Sequence, residues 1–236
     1  MSLTTLFDSP QVAAPLSAAE VRRLWWFLDG AIMHADTRIA LRQSWGLCAR
    51  HAWGMALVEI ELRGGAPFAT AVLYADLSAG AAQVLSGRHL RSPVRHLEGS
   101  GRCPTCEYAA NATDEPDEWL ERAAVANRRS RFSALLADGW DEVAARSCPP
   151  CAGGDGPPCR PHLLTGIAAP PDLAARLRRL AVAIRAYEKS STVDGRPVDR
   201  RGRQAWLHTL GWFAGWRFTV EAQRAAIARP LSAAAR

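Results

Sequence analysis

Residues 148–162 read CPPCAGGDGPPCRPH, and this stretch places three of the chain's six cysteines and one of its six histidines within fifteen residues. Two pairs, Cys148/Cys151 and Cys159/His162, face each other across the loop AGGDGPP. That loop holds no apolar residue larger than Pro or Ala, so it is not built to fill a core. The same two-residue gap recurs at Cys48/His51 and Cys103/Cys106, which uses up every cysteine. Four pairs supply eight thiol and imidazole donors, Cys48, His51, Cys103, Cys106, Cys148, Cys151, Cys159 and His162, enough for two tetrahedral Cys3His sites.

Zinc favours such a set, and four protein ligands leave a structural site closed. A two-residue gap suits chelation because a tight turn or one helical turn brings both side chains to one side. In GLCARHAW the pair reads as i, i+3 on a helix, whereas CPTC and CPPC place Pro in the turn, where its fixed φ lowers the entropy lost on ordering. Two zinc ions are therefore the expected cofactors. An iron–sulfur cluster or an incompletely closed metal site is the alternative, since thiolate clusters accept His ligands and either would bring redox or biosynthetic chemistry. Redox dithiols fit less well, because such motifs open a helix after a strand and no strand pattern is evident. Spacing leaves the pairing open. Nearest neighbours join 48/51 with 103/106 and 148/151 with 159/162; a crossed arrangement joins 48/51 with 148/151 and 103/106 with 159/162.

Outward from these motifs nearly every periodic segment reads as helix. Ser17 and Glu20 have capping-box spacing before a run through Val21, Leu24, Trp25, Leu28 and Ile32. Gly46 precedes a second helix ending at Gly64–Gly65, and residues 67–85 form a third between Pro67 and Gly87. Residues 87–103 read as a connector. A helix is expected from about Asp114 through Val125, and a shorter one over 131–145. Past Pro170–Pro171–Asp172, Leu173, Leu177, Leu180, Ile184 and Tyr187 make one apolar stripe. A polar break precedes a Trp-rich helix with Trp206, Leu210, Phe213 and Trp216. The expected fold is all-α, a multi-helix bundle braced by two metal sites. It is read as one domain over 1–236, with N-terminal helices 17–86, a Cys-rich segment 87–170, C-terminal helices 171–217 and a tail 218–236. Most of the nine tryptophans are expected to be core residues.

The elements GLCARHAW, ATAVLYADL, CPTC, CRPHL and AWLHTLGWFAG resemble a bacterial helical Cys/His-rich family catalogued only as a domain of unknown function, over about residues 40–216. That family repeats a CPxC, a helical stretch and then G[FL]CxxH. This chain lacks a CPxC before Cys48 and carries an added CPPC at 148–151. The resemblance implies that CPTC pairs with CRPH, the crossed arrangement. It implies a fold and ligands, and no activity.

Catalytic signatures are largely missing. No Glu two residues after His51 and no ligand before CPTC allow a zinc deaminase. HExxH, CxxCH, GxGxxG, Walker-A and GxSxG patterns are absent. The balance leans against enzymatic activity, and a metal-centred chemistry stays open as the alternative. His34, His89 and His96 lack nearby cysteines, His208 reads as a satisfied surface or core histidine, and Glu59 and Glu61 read as solvated.

The net charge of +6 is uneven: residues 171–236 hold thirteen Arg/Lys against five Asp/Glu, and the rest carries about −2. Arg176, Arg179, Arg200, Arg201 and Arg203 could meet nucleic-acid phosphates. Lys189 is the lone lysine, so an Arg-rich genome accounts for part of this charge. No apolar run is read as reaching the roughly 18 residues of a membrane span. The first sixteen residues lack a basic stretch followed by an apolar one, so no secretory leader is expected. The reading is a cytoplasmic accessory protein with a protein partner; a nucleic-acid-binding regulator is the other non-enzymatic alternative.

Overall fold

The computed structural model describes residues 14–87, 93–192 and 194–228. Residues 1–13, on which the leader reading falls, His89 and the end of the tail from 229 lie outside these. The described residues contain helices and no strand. In chain order the helices are α1 (Ala18–Leu28), α2 (Ala35–Gln43), α3 (Ala49–Arg63), α4 (Phe68–Ser86), α5 (Pro104–Asn111), α6 (Asp117–Asn127) and α7 (Ser130–Ala137). There follow α8 (Trp140–Ala145), α9 (Pro149–Ala152), α10 (Arg160–Leu164), α11 (Leu173–Ser190), α12 (Arg200–Arg203), α13 (Ala205–Ala214) and α14 (Arg217–Ala228). Short 3-10 turns cover Ala31–Met33 and Pro93–Leu97.

Helix α3 is the axis of the molecule. Every residue from His51 to Glu61 is buried, because α1, α4, α6, α7, α13 and α14 surround it. Such a helix is apolar on all sides rather than striped. Its two acids are the exception, and they are not solvated as expected. Glu59 is 2% exposed and accepts hydrogen bonds from the backbone N–H of Ala69 (2.7 Å) and Thr70 (3.0 Å) and from Thr70 Oγ1 (2.8 Å). Glu61 is 4% exposed and accepts from the Phe132 N–H at 2.8 Å. Each carboxylate therefore caps the N-terminus of a neighbouring helix, α4 and α7, where unpaired N–H groups and the helix dipole favour negative charge.

The long pair α4 and α11 packs side by side over most of its length. Ala181 is buried there, while Leu180 of the expected stripe is only partly covered. Helix α4 has 19 residues and is long and apolar enough to cross a bilayer by length and composition, contrary to the expectation that no segment is. Here Leu73, Tyr74 and Leu77 are buried in the core.

Several boundaries differ from expectation. The capping box at Ser17 and Glu20 is formed, but α1 stops at Leu28, because Gly30 adopts φ 116° and redirects the chain before Ile32. Helix α6 begins at Asp117 with Pro116 as its N-cap, not at Asp114. The 131–145 segment is two helices, parted at Gly139 with φ 93°. Helices α2 and α5 form where none was expected. The tail after 217 starts as helix α14, whose Phe218 and Ala222 are buried. Its two apolar anchors were too few to register as a stripe. Trp45, expected on a helix face, sits in the turn after α2 with φ 54° and donates its Nε1–H to the His96 carbonyl at 2.7 Å.

Candidate metal centres

One local design is used four times. Cys48, Cys103, Cys148 and Cys159 are each the N-cap of a helix, in extended conformation, and the second donor of each pair sits in the first turn. The carbonyl of each N-cap cysteine accepts the first helical hydrogen bond, from Ala52, Glu107, Ala152 and Leu163 at 2.8–3.2 Å. This explains the prolines, which favour the first positions of a helix because no N–H is needed there. Cys48 thus precedes α3 rather than lying within it, a correction to the i, i+3 reading. A helix N-terminus also favours thiolate over thiol.

The pairs assemble as nearest neighbours. Cys48, His51, Cys103 and Cys106 form one group, and Cys148, Cys151, Cys159 and His162 the other, with all donor atoms of a group within 4.8 Å of one another. The crossed arrangement implied by the resemblance is not the one formed. All six thiols are free of disulfides. In the first group His51 Nδ1 lies 3.3, 3.4 and 3.3 Å from the sulfurs of Cys48, Cys103 and Cys106, and Cys48 and Cys106 are 3.7 Å apart. In the second, His162 Nδ1 lies 3.4, 3.4 and 3.1 Å from Cys148, Cys151 and Cys159, and Cys151 and Cys159 are 3.6 Å apart. Around a single ion with M–S of about 2.3 Å and M–N of about 2.0–2.1 Å, tetrahedral geometry sets S···S near 3.8 Å and S···N near 3.6 Å. Both groups come close to those edges, so each could hold one metal ion.

The electrostatics point the same way. Sulfur neighbours push the Cys103 thiol far down and the Cys48 thiol far up; in the second group they lower Cys148 and raise Cys159. Three thiolates this close repel one another, so a cation is needed for all to ionise together.

Their supporting contacts differ. His51 Nε2 donates to Glu20 Oε1 at 2.7 Å, and Glu20 also accepts from Arg50 Nε (2.7 Å) and from the Ser17 N–H (2.7 Å). Burial works against the Glu20 charge, but Arg50, His51 and Ser17 outweigh it and hold the carboxyl well below its usual range. In the second group Cys151 accepts a backbone N–H from Trp216, and Cys148 one from Cys159. His162 Nε2 has no protein partner among the described residues. Arg160, next to Cys159, is drawn inward: Nε donates to the Leu97 carbonyl at 2.7 Å and Nη2 to Ser44 and Glu98 at 3.4 and 3.3 Å. It thereby ties the second group to the turn before Cys48 and to the connector before Cys103.

The other candidates scatter. His34 and His96 are exposed and belong to neither donor group. Arg176 pairs with Asp172 (2.7 Å), Arg200 with Asp138 (3.3 Å) and Arg201 with Glu142 (3.7 Å), and Arg203 Nη1 donates to the Val198 carbonyl. Sequence reasoning missed Glu20 as a partner of His51, although its capping-box position already placed it at a helix start. No family model, curated protein or solved structure matches this chain.

Proposed function

We propose that this protein is a non-catalytic helical accessory protein whose body is riveted by two structural zinc ions. The observation that carries the reading is the closure of both Cys3His groups. Each offers four protein donors at tetrahedral spacing, so a bound ion keeps no position for water or substrate. The spacing also favours zinc over an iron–sulfur cluster, in which at most two protein ligands share an iron and the four sulfurs and nitrogens stand farther apart. Thiolate and imidazole ligands suit zinc, and the carboxylate behind His51 is its usual outer partner. Six thiols without a disulfide suit a reducing compartment such as the cytoplasm. Membership of the bacterial Cys/His-rich family belongs to the same reading, carried by GLCARHAW and CRPHL.

A structural zinc contributes about 10–16 kcal/mol in small peptides, as much as the roughly 5–15 kcal/mol net stability of a whole domain. The ions would decide whether the segments around α5, α9 and α10 are ordered at all. Elemental analysis of protein purified without air, together with its visible spectrum, tests the reading. Two zinc per chain and a colourless protein are expected. Iron with absorption at about 400 nm would replace it with the cluster reading.

A further inference from the structure

Helix α13 and its N-cap carry three polar side chains in one column. Gln204, His208 and Trp212 are spaced i, i+4, i+8 and so share a face. All three hold buried atoms with no hydrogen-bond partner: both amide atoms of Gln204, Nε2 of His208 and Nε1 of Trp212. Buried polar atoms are nearly always paired, and each exception costs about 1–3 kcal/mol. Other buried polar atoms of the described residues also lack a partner, but His208 and Trp212 stand one turn apart on the wall of a cavity, where a contact from outside the chain would satisfy both.

His208 and Trp212 line a cavity of about 480 Å³ between α11, α13 and the loop 155–157 that separates Cys151 from Cys159. That size lies within the roughly 300–1,000 Å³ of small-molecule sites. The cavity is two-sided. Leu177, Leu180, Ala183 and Trp212 make an apolar wall; Arg146, Arg176, Arg179 and Arg201 bring four guanidinium groups, against the one carboxylate of Asp155. Arg146 and Arg201 share the half-buried Glu142, and Arg176 holds the exposed Asp172; the guanidinium groups themselves stand in solvent, where such pairs are weak. Arg179 meets no carboxylate among the described residues. Leu180, the member of the α11 stripe left half-covered, packs against the edge of the core and also lines this space.

We propose that this cavity binds a small organic anion with a flat apolar body. Its acidic group would be held by Arg179 with Arg176 and Arg201, and its ring would lie along Leu177, Leu180 and Trp212 within reach of His208 Nε2 and Trp212 Nε1, the two members of the column that line the cavity. Guanidinium forks suit phosphate or carboxylate oxygens. Nucleic acid fits less well, because a strand needs an open groove with successive stacking platforms, whereas Arg200 and Arg203 lie outside this lining. The inference does not depend on which ion the cysteines hold.

The test is calorimetric titration of the full chain with 1-naphthyl phosphate, 1-naphthoate, 1-naphthol, inorganic phosphate and a short oligothymidylate. One of the two naphthyl acids should bind one-to-one, about tenfold or more tighter than naphthol or phosphate, and the two acids together tell which anion is preferred. Arg179→Gln, at an exposed side chain, should weaken that binding about tenfold with an unchanged thermal midpoint. Ala183→Phe, which fills the apolar end, should weaken it as well, and His208 ring resonances should shift on binding in the parent. No saturable binding of either acid at millimolar concentration would overturn the proposal. Binding indifferent to both substitutions, or oligothymidylate binding tighter and lost with Arg179→Gln, would overturn it too.

Discussion

Glu20 Oε1 lies 2.7 Å from His51 Nε2, while the other nitrogen of the same ring faces three sulfurs. The carboxylate fixes which ring nitrogen carries the proton and aims the lone pair of Nδ1 at the thiols. Replacing Glu20 by Gln should therefore weaken metal binding at the first centre by about 10–100-fold. Competition with a chromophoric chelator measures this, and the centre at Cys148–His162 should keep its affinity. An unchanged affinity of the first centre in the variant would remove Glu20 from the role.

Cys106 is the exposed thiol of the first group. Cys106→Ser should leave one metal per chain instead of two, and lower stability by more than about 4 kcal/mol, the range of mutations that lose a metal. Chelator treatment of the parent should cost helical signal in circular dichroism. Full retention of that signal by metal-free protein would contradict a bracing role.

Gly215 joins α13 to α14 with φ 76° and ψ 166°, a region that only glycine occupies readily. Its carbonyl accepts the Trp53 Nε1–H at 2.8 Å, and a Cβ there would stand 3.8 Å from Cys151 Sγ, so space is adequate and the strain is in the backbone. Gly215→Ala should cost about 1–3 kcal/mol. It should also speed metal loss from the second centre, because the neighbouring Trp216 N–H would leave the Cys151 sulfur. Denaturant unfolding and the rate of chelator capture report the two effects separately.

His208 is held neutral: desolvation lowers its pKa to about 4, with Arg146 adding to the fall and Glu142 opposing it. The unfolded chain has an ordinary imidazole near pH 6.5 and binds the proton first as pH drops. Stability contributed here is thus full above about pH 6.5 and declines towards pH 4. Replacing His208 by Phe should flatten this part of the pH–stability curve relative to the parent, by about 1–3 kcal/mol between those limits. Parallel curves for the two proteins would refute the assignment.

Glu59 accepts three hydrogen bonds at the start of α4. Truncation to Ala would strand those donors in the core at a cost of about 2–4 kcal/mol, whereas an exposed acid would cost almost nothing. Thermal unfolding separates the two outcomes.

Much of this was written in local sequence. The eight donors announce themselves by spacing, Ser17 and Glu20 by their cap, and α11 by its four-and-three steps. Which pairs meet was not legible, since all four share one gap and only tertiary packing brings α5 to the start of α3. Glu59 and Glu61 were misread because the groups they satisfy lie on other helices, yet two acids within an otherwise apolar helix were the available signal. The Gln204–His208–Trp212 column was likewise visible as i, i+4, i+8, but its lack of partners depends on how α11 and the 155–157 loop pass it.

The pairing of α4 with α11 has a consequence for synthesis on the ribosome. Helix α4 ends at Ser86, and the helix that shields it starts only at Leu173. The first centre is complete once Cys106 has emerged, so an ion can pin α3 to α5 while the long apolar helix α4 still lacks its cover. Until translation delivers α11, the nascent chain carries an uncovered apolar flank, the kind of surface that makes folding intermediates prone to aggregate.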